Sequence, residues 1–331
     1  MALKVAINGT GRIGIIVAKI IAERSDIELV ALNTTAKPEM LEYLLKFDSV
    51  HRGIDAKVVD ENTIKIGGKN VRMFRERDID KVDFGSVGAE VVIECTGVFL
   101  DQESCQRHIK NGVKKVIMSA PAKDESPTYV FGVNSDSYQG EAIISNASCT
   151  TNCLGPITKV LDDAFGIENG LMTTIHSYTN DQNVLDVKHS KDPRRARAAA
   201  LNMIPTSTGA AKAIGKVMPH LLGKLNGYAM RVPTPDVSVV DLTVNLRKAV
   251  TKEDIHAVFT AASEGNFKGL IEVDNDKRVS SDFIGSTYSA TYVPDMTSVV
   301  NGNTVKVLAW YDNEWGYSSR LVDMTVLIGS R

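Results

Sequence analysis

The chain reads as an α/β protein in two parts, an N-terminal Rossmann-type doubly wound sheet followed by an α+β catalytic domain on a mostly antiparallel sheet. Three observations predict this. A glycine-rich turn, Gly9-Thr10-Gly11-Arg12-Ile13-Gly14, sits directly between a short apolar run and a helix-patterned run. Short apolar runs of the buried parallel-strand kind then recur up to about residue 148. Beyond that point longer segments alternate apolar and polar residues, as strands with one wet face do. With 331 residues the chain exceeds one comfortable core. The expected boundaries are 1–148 for a dinucleotide-binding domain and 149–312 for the catalytic domain, with 313–331 a C-terminal helix returning to the first.

Composition narrows the function classes. A formal net charge of -2 argues against a dedicated nucleic-acid or membrane-surface protein, and 43% hydrophobic residues argue for a packed globule. No apolar run has the length of a membrane span, and the start of the chain enters a strand pattern at once, so neither signal peptide nor anchor is expected. Cys95, Cys105, Cys149 and Cys153 form no Cys-x-x-Cys pair and no histidine cluster has zinc spacing. A reducing, cytoplasmic setting without a structural metal is therefore expected.

In the first half, Lys4 to Asn8 is a strand and the run through Ile16 and Ile20 a helix, which places Gly9, Gly11 and Gly14 in a strand-turn-helix. Glycines there permit a tight turn and close approach of a pyrophosphate to the helix N-terminus. The second strand, Ile27 to Leu32, ends in Asn33-Thr34-Thr35-Ala36-Lys37, where a carboxylate would bind the ribose hydroxyls of NAD. None is present, so no charge repels a 2′-phosphate and both NAD and NADP stay open. A hairpin turns about Glu61-Asn62, strands follow at 91–97, 115–119 and 142–144, and Gln102 to Lys110 is helix-compatible.

The join carries the chemistry. Ser145-Asn146-Ala147-Ser148-Cys149-Thr150-Thr151-Asn152-Cys153 leads into a helix whose apolar residues are Leu154, Ile157, Val160, Leu161 and Ala164. Ser148 suits an N-cap, which puts Cys149 in the first turn, where the helix dipole favours thiolate and brings an ordinary pKa of about 8.5 towards about 7.5 or below. A free cysteine is usually a small buried hydrophobe, but the wrapping here is polar. Cys153, one turn deeper, reads as structural, and Pro156 predicts a local bend or a lost backbone bond.

Further on, Leu171 to Ser177 is a strand that ends in His176, and a Cys–His pair would account for both residues. The 181–197 segment is a charge run, either a solvated loop or an anion site. Pro205 to Lys212 sets hydroxyls and Gly209 before a helix, which suits a phosphate cradle or an ordinary cap. Strand patterns continue at 242–246, 270–273, 288–293 and 304–310, and a final helix begins near Ser319.

Taken together, these runs resemble phosphorylating glyceraldehyde-3-phosphate dehydrogenases. The resemblance rests on the 7–14 glycine turn, Ala147 to Asn152, Arg194 to Ala200, Pro205 to Lys212, Arg231-Val232-Pro233-Thr234-Pro235 and Trp310 to Ser318, in family order along nearly the whole chain. It implies that Cys149 attacks an aldehyde with His176 as acid and base. A thioester left by hydride transfer would then be cleaved by inorganic phosphate. It assigns Ser148, Thr150, Arg195, Thr208 and Gly209 to the attacking phosphate, and Thr179 and Arg231 to the phosphate of glyceraldehyde 3-phosphate. Arg12, Ile13, Arg77, Ser119 and Asn313 would contact the cofactor, and the loop around Lys188 would lie at the interface of a homotetramer.

Five positions depart from the family pattern. Thr34 stands where the family has its NAD-selecting aspartate, Thr10 replaces its phenylalanine, Ile15 its arginine and Asp236 its asparagine, and Lys188 stands where NAD-dependent members often have proline. Thr34 and Lys188 suit NADP use. The nearest alternative is an erythrose-4-phosphate dehydrogenase, which hands its thioester to water.

Overall fold

In the computed structural model residues 2–331 are described, and the chain divides into two compact units. The first comprises 1–131, 135–148 and 318–331, and the second 132–134 and 149–317.

The first unit follows the turn just read. Strand β1 (Leu3–Asn8) enters the glycine turn and leaves as helix α1 (Arg12–Ala22), then β2 (Ile27–Asn33) and α2 (Pro38–Lys46) follow. After β3 (Ala56–Asp60), β4 (Thr63–Ile66) and β5 (Lys69–Phe74) come β6 (Val91–Glu94), α3 (Gln102–Gln106), β7 (Lys115–Met118) and β8 (Ile143–Ser145). They form one sheet in the order β3-β4-β5-β2-β1-β6-β7-β8. Its six strands from β5 to β8 are parallel and the β3-β4-β5 edge is antiparallel. Ile7, Val92, Ile93, Val116 and Ile117 have no solvent exposure, as expected of central strands covered on both faces. Truncating one of them, as in Ile93→Ala, costs about 2–5 kcal/mol.

Two glycines of the turn are sterically obligatory. Gly9 has φ +98°, and a Cβ on Gly14 would lie 2.0 Å from the Gly9 carbonyl oxygen. The helix expected over 102–110 stops at Gln106, where the chain tightens into turns in which His108 N donates to the Cys105 carbonyl (3.0 Å) and Ile109 N to the Gln106 carbonyl (3.0 Å).

The second unit opens with α4 (Cys149–Phe165) and continues through β9 (Ile167–Ser177), β10 (Ile204–Ser207), α5 (Ala210–Val217), β11 (Leu225–Val232) and β12 (Ser238–Leu246). Helix α6 (Lys252–Glu264), held by a Thr251/Asp254 capping box, precedes β13 (Ile271–Val273), β14 (Ala290–Tyr292), β15 (Ser298–Val300) and β16 (Thr304–Tyr311). The sheet runs β10-β11-β9-β12-β16-β14-β13, with β15 beside β16. Its pairings are antiparallel except β11 with β9 and β13 with β14, so the mostly antiparallel expectation holds.

Helix α7 (Trp315–Gly329) begins four residues before the expected start. The Asp312 carboxylate accepts from the N–H groups of Glu314 (2.9 Å) and Trp315 (2.7 Å), which closes the first turn early. Pro156 lies inside a helix that continues through it, so the expected bend does not interrupt α4. Pro156 still has no N–H to donate.

Candidate active site

Cys149 is the first residue of α4, and Ala147, two residues earlier, is held at φ 56°, a region that side chains avoid. A sharp, buried backbone turn thus delivers the thiol to the helix N-terminus, directly after Ser148. His176 lies near the end of β9, with its Nε2 3.5 Å from Cys149 Sγ. The residues are 27 apart in sequence, and the structure brings them together.

The ring's proton is assignable. His176 Nδ1 lies 2.7 Å from the Ser177 carbonyl oxygen, a separation that two lone pairs do not tolerate, so Nδ1 carries the hydrogen. Arg231 Nη1 is 3.0 Å from that same Nδ1, but its hydrogen goes to the Ser177 oxygen at 2.9 Å. Nε2 therefore turns its lone pair to the thiol. Arg231 stands opposite His176 because β11 and β9 pair in that register.

Burial governs the charges. It pushes His176 down to about 3, with the Arg231 charge adding to the effect, so the ring is a neutral base. Burial also pushes the Cys149 thiol up, against the pull of Arg231, Thr150 and the backbone. The expected low thiol pKa is therefore not met, because desolvation outweighs the helix N-terminus. Neither group ionises alone. Transfer of the proton from Sγ to Nε2 leaves the pair's net charge unchanged, which makes it the accessible route to a nucleophile. Cys153 is fully buried with Sγ 3.9 Å from the Ala309 carbonyl, which fits its structural reading.

Arg231 Nη1 lies 3.4 Å from Thr179 Oγ1, and its buried Nε has no hydrogen-bond partner among the described residues. A cation and a hydroxyl thus converge beside the histidine, a donor set for an anion. The other anion candidates are more dispersed. Thr208 Oγ1 caps the N–H of Ala210 (3.2 Å) and Gly209 is the exposed residue before α5. Arg195 donates to Thr206 Oγ1 (2.9 Å) and the Ser207 carbonyl (3.3 Å), and also pairs with Asp181, so its charge is already shared. Thr150 is buried with Oγ1 2.9 Å from the Tyr311 hydroxyl, which leaves its backbone rather than its side chain for a ligand.

Tyr311 has a role that sequence reasoning missed. Its hydroxyl joins Thr150 to Thr174 (2.9 Å) and its ring stands edge-on to His176, with centroids 6.0 Å apart. The aromatic run around it is visible in the sequence, but no spacing signals that contact. Asn313 is held by two hydroxyls whose approach no sequence spacing signals. Its Oδ1 accepts from Ser177 Oγ (2.9 Å) and Ser238 Oγ (2.8 Å), which fixes the amide with Nδ2 as the group left to donate.

In the first unit the glycine turn has the form a dinucleotide requires. Gly11 precedes α1 without a side-chain cap, and a Cβ there would meet nothing within 4 Å, so the helix N-terminus is open to a phosphate. Arg12 and Ile13 form its first turn, with Arg12 Nη1 3.1 Å from Asp48. Thr34 is buried, its hydroxyl 2.5 Å from that of Thr10 and accepting from Ala36 N (3.1 Å). Asn33 is consumed internally, by Asn8 and the Glu76 backbone. Arg77 is exposed after β5, Ser119 follows β7 and donates its N–H to the Glu94 carbonyl (2.9 Å), and Lys188 lies on an exposed loop of the second unit.

Comparison with known proteins agrees with this geometry. Residues 3–102 match the family described as glyceraldehyde 3-phosphate dehydrogenase, NAD binding domain, and residues 148–313 match its C-terminal domain. The chain is 52% identical over 334 residues to the glyceraldehyde-3-phosphate dehydrogenase of Geobacillus stearothermophilus, covering 100% of this chain and 99% of that protein. It is 51% identical to glyceraldehyde-3-phosphate dehydrogenase 1 of Bacillus subtilis (strain 168), with the same coverage. The cytosolic enzyme of Pinus sylvestris is 50% identical over 98% of this chain and 96% of its own length. With its nucleotide turn, its Cys149–His176 pair and both domains matched, the chain belongs to the glyceraldehyde 3-phosphate dehydrogenase family.

Proposed function

We propose that this protein oxidises glyceraldehyde 3-phosphate to 1,3-bisphosphoglycerate, reversibly, through a thioester on Cys149. The observation that carries this reading is the 3.5 Å contact between Cys149 Sγ and a His176 Nε2 that is free to accept a proton.

The steps follow from the side chains. As Sγ bonds to the aldehyde carbon its proton passes to Nε2, and the imidazolium then returns it to the oxyanion, giving a thiohemiacetal. Nε2 next removes the hydroxyl proton as hydride departs, and a thioester remains on Sγ. The nicotinamide cofactor supplies the hydride acceptor when bound. Inorganic phosphate then adds to the thioester carbonyl, and the C–S bond breaks to release the acyl phosphate and the Cys149 thiolate, which regains a proton from His176. Arg231 with Thr179 suits the phosphate carried by the substrate, and Ser148, Thr150, Arg195, Thr208 and Gly209 are the residues we assign to the attacking phosphate.

Cofactor contacts are assigned to Gly9, Gly11, Arg12, Ile13, Gly14, Asn33, Thr34, Arg77, Ser119 and Asn313, with Lys188 as a further candidate. The open helix N-terminus at Gly11 fits a pyrophosphate, and Asn313 Nδ2 fits a carboxamide oxygen. We infer use of NADP as well as NAD, because a hydroxyl replaces the carboxylate at the end of β2. Assembly as a homotetramer in the cytoplasm, with roles in glycolysis and gluconeogenesis, completes the reading. Among the described residues no helix is long and apolar enough to cross a membrane.

The deciding assay follows reduction of NAD and of NADP with glyceraldehyde 3-phosphate, with and without inorganic phosphate, for wild type and Cys149→Ser. Phosphate-dependent turnover that disappears in the variant is expected. Turnover indifferent to phosphate would favour the erythrose-4-phosphate type of chemistry, in which water cleaves the thioester. Activity that survives the substitution would remove Cys149 from the mechanism.

A further inference from the structure

The first sheet contains a second polar construction that neither the nucleophile nor the glycine turn uses. Strands β5, β2, β1 and β6 are adjacent and parallel, so their carboxyl ends share the edge where such sheets hold ligands. A hydrogen-bonded chain crosses all four. Glu76 N donates to Asn33 Oδ1 (3.0 Å), while Asn33 Nδ2 donates to the Glu76 carbonyl (2.9 Å) and to Asn8 Oδ1 (2.8 Å). Asn8 Nδ2 donates to Glu94 Oε2 at 2.6 Å, and His108 Nε2 lies 3.1 Å from that same oxygen. Glu94 Oε1 accepts from Thr96 N (2.7 Å) and from the Thr96 hydroxyl. Asn8 and Glu94 are 1% and 0% exposed, so water does not compete for these bonds.

The direction of the chain has one source. Each asparagine amide has two orientations, whereas Glu94 meets its neighbours with oxygens alone, Oε2 accepting from Asn8 and Oε1 from Thr96 N. Glu94 therefore compels Asn8 to present Nδ2 and keep Oδ1 for Asn33. Asn33 must then give Nδ2 to Asn8 and keep Oδ1 for the Glu76 N–H. The residues so aligned head the loops that begin at Gly9, Thr34, Arg77 and Thr96. We infer that Glu94 is a positioning residue for dinucleotide binding, one buried carboxylate that sets the relative alignment of four loops at the ligand edge of the sheet, three of them carrying assigned cofactor contacts, without touching the cofactor. This rests on the cofactor reading above, and NAD binding by the wild-type protein tests that reading separately.

A reciprocal exchange distinguishes alignment from mere stability. Glu94→Gln leaves an oxygen for Thr96 but turns an NH2 group against Asn8 Nδ2. Asn8→Asp added to it restores a complete chain, since the new carboxylate accepts from both residue 94 and Asn33. His108 adapts by moving its hydrogen to Nδ1, which is buried with no hydrogen-bond partner among the described residues. NAD binding to the purified full-length protein is measured by titration calorimetry, beside thermal unfolding. Glu94→Gln should weaken NAD binding about tenfold or more, read in Kd and in KM for NAD rather than in kcat, and the Asn8→Asp/Glu94→Gln double variant should recover most of the loss. Wild-type affinity in Glu94→Gln, or a double variant no better than the single one, overturns the inference. If Glu94→Gln does not fold, Asn8→Leu severs the chain between Glu94 and Asn33 and is read in the same way, weakened NAD binding supporting the inference and unchanged binding overturning it.

Discussion

His176 Nδ1 is hydrogen-bonded to the carbonyl of its own neighbour Ser177 at 2.7 Å, and this main-chain contact leaves Nε2 as the acceptor that faces Cys149. In many Cys–His sites a side chain orients the ring, whereas here the backbone of β9 does. His176→Asn keeps a donor to that carbonyl but loses the base. The turnover number is expected to fall about 10²–10⁴-fold, and alkylation of Cys149 by iodoacetamide at neutral pH should slow in parallel. Unchanged alkylation would mean that the thiol ionises without its neighbour.

Asn313 is oriented by two serine hydroxyls from separate strands, Ser177 on β9 and Ser238 on β12. Removing one donor from a buried acceptor costs about 0.5–1.5 kcal/mol, or roughly two- to tenfold. Ser238→Ala should raise KM for NAD by that factor and leave KM for glyceraldehyde 3-phosphate unaltered. Equal increases in both would point to a general disturbance of the sheet.

At the end of β2 the Thr10 and Thr34 hydroxyls face each other at 2.5 Å without a nearby carboxylate in the Asn33 to Lys37 run. Thr34→Asp supplies a negative charge that opposes a 2′-phosphate. The ratio of kcat/KM for NADP to that for NAD should drop about tenfold or more. A ratio that does not move would place cofactor selection elsewhere, with Lys188 the next residue to replace.

Asp236 is buried, and burial, followed by the charges of Asp312 and Glu314, raises its carboxyl to about 9. An unfolded aspartate loses its proton near 3.9. Between these values the folded chain holds a proton that the unfolded chain has released, so stability falls as pH rises through that window. Asp236→Asn removes the slope. Its Tm should exceed that of wild type by a few degrees at pH 8 and match it near pH 4, a comparison readily made by calorimetry. A Tm difference independent of pH would show that Asp236 is not the group concerned.

The strand-turn-helix at Gly9 to Gly14, the change of sheet type after residue 148 and the Cys149 helix were legible because each is written in a local pattern. Period-2 and period-3.6 hydrophobicity and obligatory glycines do not depend on distant residues. What escaped depends on pairing across long separations. Arg231 meets His176 through the register of β11 on β9, 55 residues apart in sequence, and Tyr311 meets Thr150 across 161. The low thiol pKa failed for a related reason. A helix N-terminus can be read from sequence, whereas the desolvation that opposes it belongs to the packed structure. Pro156 lacks the N–H for a helical bond, as expected, and α4 continues through it.

Successive residues of a strand point to opposite faces, and at the end of β2 this separates two tasks. Asn33 is bound into the floor that joins neighbouring strands, whereas Thr34 turns the other way and shares its hydroxyl with Thr10. A substitution at residue 34 therefore changes the group beside Thr10 and leaves the Asn33 bonds to the neighbouring strands in place. Adjacent in sequence, the two residues belong to separate sets of bonds, one tying strand to strand and the other closing a turn onto Thr10.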